Sequence, residues 1–346
     1  MSLQDALQLV QPVLSQYGIK PHYVEQNGSA FKVYSDKGTF ALKEADPYKG
    51  MDFVRNVHYL YQRGYNRIVP IYPTPDGRYA VLYSQRLFYL MPWISNEKNE
   101  DRTSQHKKLF RELARLHTLT VKDIEVSEED TKNHYEQTNE QWKKEASMLD
   151  EMIEACEQKW YMSPFELLFC TYYHDISQAL KFANRKLDDW YEVSKDAKKM
   201  RMVIVHGKVS PEHFLYDEKG YGYFINLEDS RYASPLHDLL PFVAKNLESL
   251  PRQDEDMVDW IYTYASYFSL KDEEMELLTS YLAHPGPAIQ VLERYYKSKS
   301  KFNQQKAVQE LQKAYWRLKN IEYVVMRIDE IERKKKQEKE GAQGEG

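Results

Sequence analysis

The chain has 346 residues, with 48 basic and 53 acidic side chains and a net charge of −5. This length exceeds the ~250–300 residues at which a single hydrophobic core stops growing, so two lobes are expected. The acidic balance speaks against a dominant nucleic-acid-binding role, which normally shows as a basic domain or stripe. Two cysteines, Cys156 and Cys170, are too few for a disulfide framework or a zinc site and read as reduced thiols. The opening Met1-Ser2-Leu3-Gln4-Asp5-Ala6 shows neither the basic nor the apolar region of a secretory signal. No apolar run approaches the ~18 residues of a bilayer span. Synthesis in the cytoplasm is therefore expected. The 28 tyrosines are abundant. Their ordinary reading is half-buried packing with a wet hydroxyl, and the sharper one is exposed rings serving contacts or oxidative cross-links in a dense protein assembly.

In chain order, Leu7, Val10, Val13 and Leu14 recur with a helical period over residues 4–17, and Gly18 follows as a C-cap. Strand-like runs at 22–24, 30–34 and 39–43 are separated by Asn27-Gly28 and Ser35-Asp36-Lys37-Gly38, both turn signals. A helix over 52–63 stops at Gly64. Strands are predicted near 68–72, 79–83 and 87–91, with Pro75-Asp76-Gly77 as a tight turn. Met91-Pro92-Trp93-Ile94 reads as the crossing to a second lobe. The pattern then turns helical, over 104–118, 136–160, 164–192 and several segments between 238 and 332. On the 136–160 helix, Trp142, Leu149, Ile153 and Trp160 form one broad apolar face, read as core packing. A β-rich insert at Met202–Val205, Phe214–Tyr216 and Tyr221–Leu227 interrupts the helices, with its turn at Asp217-Glu218-Lys219-Gly220. These features predict an α+β, bilobal architecture: a small amino-terminal lobe of one helix plus antiparallel sheet (1–92), a mainly helical lobe (93–332), and a charged tail (333–346) that frays.

The stretch that bears on chemistry is His206-Gly207-Lys208-Val209-Ser210-Pro211-Glu212-His213-Phe214-Leu215-Tyr216-Asp217, followed by Tyr223-Phe224-Ile225-Asn226-Leu227-Glu228. A phosphotransferase catalytic loop places an Asp two residues after its His and an Asn about five further on. A metal-binding Asp then follows on a later apolar strand. Here those slots hold Lys208, His213 and Asn226. Lys208 has three donors and no lone pair, so it cannot accept a proton in its charged form. Asn226 offers a neutral carbonyl where a hard dication takes a carboxylate, and His213 offers nitrogen where oxygen is preferred.

These residues make the chain resemble the aminoglycoside/choline-kinase-like group of the protein-kinase-like fold. The matches are His206, Gly207, Pro211, Leu215, Asp217, Ile225 and Glu228, with Pro235-Leu236-His237-Asp238-Leu239 downstream. Upstream they are Phe40-Ala41-Leu42-Lys43 and Leu113-Ala114-Arg115-Leu116-His117. Within the group the chain is most similar to the spore-coat-associated, CotS-type branch of endospore-forming bacteria, to which Leu282-Ala283-His284-Pro285 and Tyr295-Tyr296 also point. The resemblance implies that Lys43 stands at the nucleotide-contacting position, that His206 shapes the loop, and that Asp238 braces it. It also implies other spore-coat proteins as partners, with synthesis in the mother cell and deposition on the coat.

Two features leave room for residual chemistry. Glu228 lies two residues after Asn226, so on an extended strand both side chains share a face and Glu228, with Asp229 beside it, offers a carboxylate. Lys43 is retained, although residues 51–65 contain no Glu to pair with it, and it reads as a solvated strand-end lysine. The sequence thus points to a catalytically inactive kinase-like scaffold of the spore coat with no cofactor. The alternative is a small-molecule phosphotransferase or nucleotide binder, using ATP and magnesium through Lys43, Glu228 and Asp229.

Overall fold

The computed structural model describes residues 3–49, 51–96, 101–247, 250–297 and 303–344. Helix α1 (Leu3–Gln16) is followed by strands β1 (Pro21–Asn27), β2 (Ala30–Ser35) and β3 (Gly38–Ala45), helix α2 (Asp52–Gln62), and strands β4 (Val81–Tyr83) and β5 (Arg86–Pro92). Next come α3 (Arg102–Thr120), β6 (Lys122–Glu125), and the long helices α4 (Glu128–Glu157) and α5 (Pro164–Ser194). Four short strands follow: β7 (Lys199–Val205), β8 (Phe214–Tyr216), β9 (Gly222–Phe224) and β10 (Arg231–Ala233). The chain closes with α6 (Leu236–Asn246), α7 (Glu255–Tyr267), α8 (Asp272–Ala283), α9 (Gly286–Lys297) and α10 (Gln304–Gly344). A small antiparallel sheet precedes a mostly helical remainder, the α+β pattern expected.

The chain divides into two compact units, residues 1–122 with 202–238, and residues 123–201 with 239–346. This is a different division from the lobe boundary expected at residue 92. In the first unit the five-stranded antiparallel sheet runs β1-β2-β3-β5-β4. Alternation along its strands sends Val24, Phe31, Val33, Leu42, Phe88 and Leu90 to one face, and the apolar stripe of α1 (Val10, Val13, Leu14) buries against them. At roughly 1.5–3 kcal/mol per buried aliphatic or aromatic side chain, this layer fixes the sheet on α1 and leaves its other face to the rest of the unit. That face carries Ala41 and Lys43 on β3, paired across to Met91 and Tyr89 on β5.

Residues 68–72 form isolated bridges, Ile68 with Phe224 and Tyr72 with Leu90, where a strand was expected. Arg67 O accepts from Phe224 N (2.8 Å) and Val69 N donates to Phe224 O (3.0 Å). The backbone of 67–69 is thus spent on β9, and the segment meets the larger sheet only at Tyr72, whose N donates to Leu90 O (2.8 Å), so no continuous strand forms. The insert is rearranged as well. β8 and β9 form the hairpin around Asp217–Gly220, but β7 pairs antiparallel with β10, Val205 opposite Arg231. The strand expected over 221–227 ends at Phe224.

In the second unit α4 and α5 each begin with a capping box, at Ser127 and Ser163, and bury Trp142, Leu149, Phe169, Ile176 and Leu187. Trp160 does not share the Trp142–Leu149 face. α4 ends at Glu157, and Trp160 stands 89% exposed in the turn beyond it. α10 continues through the charged stretch from residue 333 that was expected to fray. Ion pairs Arg333–Asp329 and Lys334–Glu330, one helical turn apart, support it there. Residues 345–346 lie outside the described residues. The tyrosines divide: Tyr65, Tyr89 and Tyr264 are fully buried, whereas Tyr48 and Tyr161 are almost wholly exposed.

Candidate functional site

All of the residues singled out in the loop and its surroundings fall within the first unit. The loop from His206 is built around Asp238. Its carboxylate accepts from His206 N (2.7 Å) and Gly207 N (2.8 Å), and the His117 ring nitrogen Nε2 lies 3.2 Å from it. Burial alone would raise the Asp238 carboxyl, but bonds from His117 and His206 hold it below the usual carboxylate range. Gly207 has φ of 80°, and a Cβ there would stand 2.4 Å from the carbonyl oxygen of Asp229. Only glycine lets these two backbone segments meet.

The His206 ring donates from Nε2 to Ile225 O (2.8 Å), and its Nδ1 accepts from Lys208 N (3.2 Å). Those two bonds define a neutral ring, and complete burial pushes its pKa down in the same sense. His213 lies near-parallel to it at 6.0 Å between centroids. Its Nδ1 is 2.8 Å from Lys208 O, and burial lowers its pKa too. The Lys208 side chain is exposed, and among the described residues its ammonium has no hydrogen-bond or ion-pair partner.

Asn226 is not on a strand. It adopts the left-handed conformation (φ 65°, ψ 49°), and residues 227–229 form a single 3-10 turn. The expectation that Asn226 and Glu228 share a face through strand alternation therefore fails in its reasoning, yet the two side chains do converge. Asn226 Oδ1 lies 2.5 Å from Lys43 Nζ, and Glu228 Oε1 is ion-paired with the same ammonium. Tyr89 donates its hydroxyl to Glu228 at 2.7 Å. Burial pushes the Glu228 carboxyl up, but the neighbouring Lys43 charge and the bonds from Lys43 and Tyr89 bring it below its ordinary value. The Tyr89 phenol moves the opposite way, raised by burial and by Glu228. Lys43 is 9% exposed, so it is not the solvated strand-end lysine expected.

Two residues of this arrangement had no sequence signal of their own. Tyr89 faces Lys43 only because β5 pairs with β3 in the register Lys43–Tyr89. Asn56, on α2, donates to Ser230 O (3.1 Å) and Ser230 Oγ (3.0 Å), tying that helix to the segment after Asp229. Asp229 is half-buried, with its carbonyl against Gly207. The site as a whole is one cation, Lys43, enclosed by a carboxylate, an amide and a phenol, beside a loop whose own exposed cation is Lys208.

An antiparallel sheet, a helical remainder and a braced His-Gly loop define a kinase-like phosphotransferase fold, and solved structures agree. The aminoglycoside phosphotransferase of Alicyclobacillus acidocaldarius aligns with a TM-score of 0.68 at 15% identity, over 92% of this chain and 96% of that one. Spectinomycin phosphotransferase APH(9)-Ia, solved with ADP and spectinomycin, aligns with a TM-score of 0.55 at 14% identity, over 95% and 99%. Such identities show the fold. No curated protein sequence matches the chain. The family described as "Spore coat putative kinase YutH" matches residues 11–328, and the chain belongs to it. The spore-coat branch to which the sequence pointed is the one found, under the description YutH where the resemblance was to CotS-type proteins. No described helix is long and apolar enough to cross a membrane.

Proposed function

We propose that this member of the spore-coat kinase-like family acts as a scaffold or interaction module and transfers no phosphoryl group. The observation that carries the reading is the occupation of Lys43. In a working enzyme of this fold the corresponding lysine reaches nucleotide phosphates, while an Asn and an Asp hold magnesium. Here the Lys43 ammonium is already bound by Glu228 and Asn226. Asn226 Oδ1 faces that cation at 2.5 Å, where magnesium would require a free anionic oxygen. Lys208 adds a second positive charge at the position of the proton-accepting Asp. The residues present do not fit magnesium–ATP.

His206 and Asp238 serve in this reading as structural residues of the loop, which explains why the frame persists around altered slots. Family membership supports association with the coat. Synthesis in the mother-cell cytoplasm and contact with other coat proteins complete the reading.

One observation favours a competing reading, a small-molecule phosphotransferase or nucleotide binder. A carboxylate, Glu228, does stand beside Asn226 and could serve a metal if Lys43 released it. Thermal unfolding with ATP or ADP, each with and without magnesium, separates the two. A ligand at 100 times its Kd adds about 2.7 kcal/mol, an easily visible shift. The scaffold reading expects none. A magnesium-dependent shift accompanied by turnover of a hydroxylated or aminated acceptor would replace it with the competing one.

A further inference from the structure

The second unit contains a groove of about 1040 Å³ between α5 and α10. Its lining positions recur every three or four residues along both helices: 175, 178–179, 181–182 and 185 on α5, and 318, 321–323, 325–327, 329–330, 333–334 and 337 on α10. That spacing is one helical face on each side, about 15 Å long on α5 at 1.5 Å per residue. The floor is apolar: Phe182, Leu318, Ile321, Val325 and Met326. Met326 is 61% exposed, unusual for so large an apolar side chain flanked by charges.

The charges around the floor are unequally satisfied. All four acids are ion-paired. Asp175 and Glu322 are paired with Lys319, Asp329 with Lys186 and Arg333, and Glu330 with Arg327 and Lys334. The lining bases on α10 are consumed in those same pairs. On α5, Lys181 and Arg185 are exposed and have no ion-pair partner among the described residues; the Arg185 guanidinium lies 4.9 Å from the Phe182 ring centre. The groove therefore presents an apolar floor with two unpaired cations along its α5 wall, while every acid of its lining has a cationic partner.

We infer that this groove is a docking site for an amphipathic helix of a partner protein, with the helix's apolar stripe on Phe182 and Met326 and acidic residues along its edge against Lys181 and Arg185. Two parallel walls of helical periodicity receive a third helix by ridge-into-groove packing, and the apolar anchors of such a helix recur at i, i+3/i+4 and i+7. The charge imbalance selects its acidic edge. All lining residues belong to the second unit, so the inference holds whether or not the loop of the first unit transfers phosphoryl groups.

A displayed library of amphipathic helical peptides of about 14 residues, apolar at i, i+4 and i+7 and free elsewhere, would be selected on the full chain. Recovered binders should carry Asp or Glu beside the apolar stripe and lose affinity about tenfold or more on Met326→Glu. The doubly reversed variant Lys181→Glu/Arg185→Glu should turn the preference towards Lys-bearing peptides. All three positions are exposed, and unchanged circular dichroism would confirm that each variant folds. Failure to recover any binder, binders indifferent to Met326→Glu, or an acidic preference unaltered by the charge reversal would each overturn the assignment.

Discussion

Lys43 on β3 and Glu228, 185 residues further along the chain, form a buried ion pair that fastens the segment after β9 to the amino-terminal sheet. The pair is largely enclosed by Asn226, the hydroxyl of Tyr89 and the face of the Tyr89 ring, 5.9 Å from the ammonium. Removing one member leaves the other charged and enclosed. Glu228→Ala should therefore destabilise the protein by about 3 kcal/mol, whereas replacing both, Lys43→Met with Glu228→Leu, should recover most of that loss. Urea unfolding of the four members of this cycle measures the coupling. A Glu228→Ala protein as stable as the wild type would show that the pair is solvated and interchangeable.

Gly207 supplies a second test of how tightly the loop is built. Alanine there is strained at φ of 80° and brings its Cβ to 2.4 Å from the Asp229 carbonyl oxygen, so one of two backbone segments must move. A loss of about 2–3 kcal/mol is expected, larger than that of a typical exposed glycine in a turn. Gly220, also at positive φ but with open space around it, is the control. Equal losses at the two positions would mean that conformational strain alone, and not the approach to Asp229, fixes Gly207.

Much of this was legible in the residues, and what was not has identifiable causes. The helices and the α+β order followed from periodicity and from turn signals such as Gly18, Gly64 and Gly220, because those are local properties. The loop frame was legible because His206, Gly207 and Asp238 are few and specific residue types. Side-chain partnerships across the chain were not. Nothing near Lys43 in sequence names Glu228: α2 carries no Glu, and its Asn56 binds Ser230 instead. The left-handed turn at Asn226 was hidden because Phe224-Ile225-Asn226-Leu227 reads as an apolar strand, whereas tertiary contacts end β9 at Phe224. Residues 68–72 failed for a related reason: the backbone at 67–69 pairs with β9, more than 150 residues away, while Tyr72 bridges Leu90 on β5, so the run is split between two partners.

The pH dependence of stability should fall in two stages. The folded-state pKa of His206 lies below its ordinary value, with burial the main cause, and His213 and His134 shift the same way. The unfolded chain then binds more protons as pH drops below about 6.5, and stability declines from there. Asp238 and Glu228 are depressed carboxyls. Their contribution is present above their unfolded values near about 4 and is lost as pH falls through the folded ones, giving a steeper second stage. His206→Gln, which keeps a donor for Ile225 O but does not titrate, should flatten the upper stage at a fixed cost of about 1 kcal/mol or more for the lost acceptor. Urea midpoints between pH 2 and 8 read both stages, and an unchanged slope in His206→Gln would assign the upper one to other histidines.

Cys170 should be a slow thiol. Burial, with the adjacent Cys156 as the next cause, pushes its pKa up to about 11. Cys156 is itself fully buried, with its sulfur 3.0 Å from the Tyr296 hydroxyl, so part of the Tyr295-Tyr296 segment is engaged in packing the end of α4. Only the thiolate reacts, so alkylation of Cys170 by iodoacetamide should accelerate about tenfold per pH unit from 7 to 10 without levelling off. A plateau near pH 8.5, the value of an unperturbed thiol, would contradict the burial argument. Cys156→Ser removes the neighbouring thiol while keeping a hydroxyl for Tyr296. It should lower the Cys170 pKa only part of the way, because desolvation, the larger cause, is unchanged.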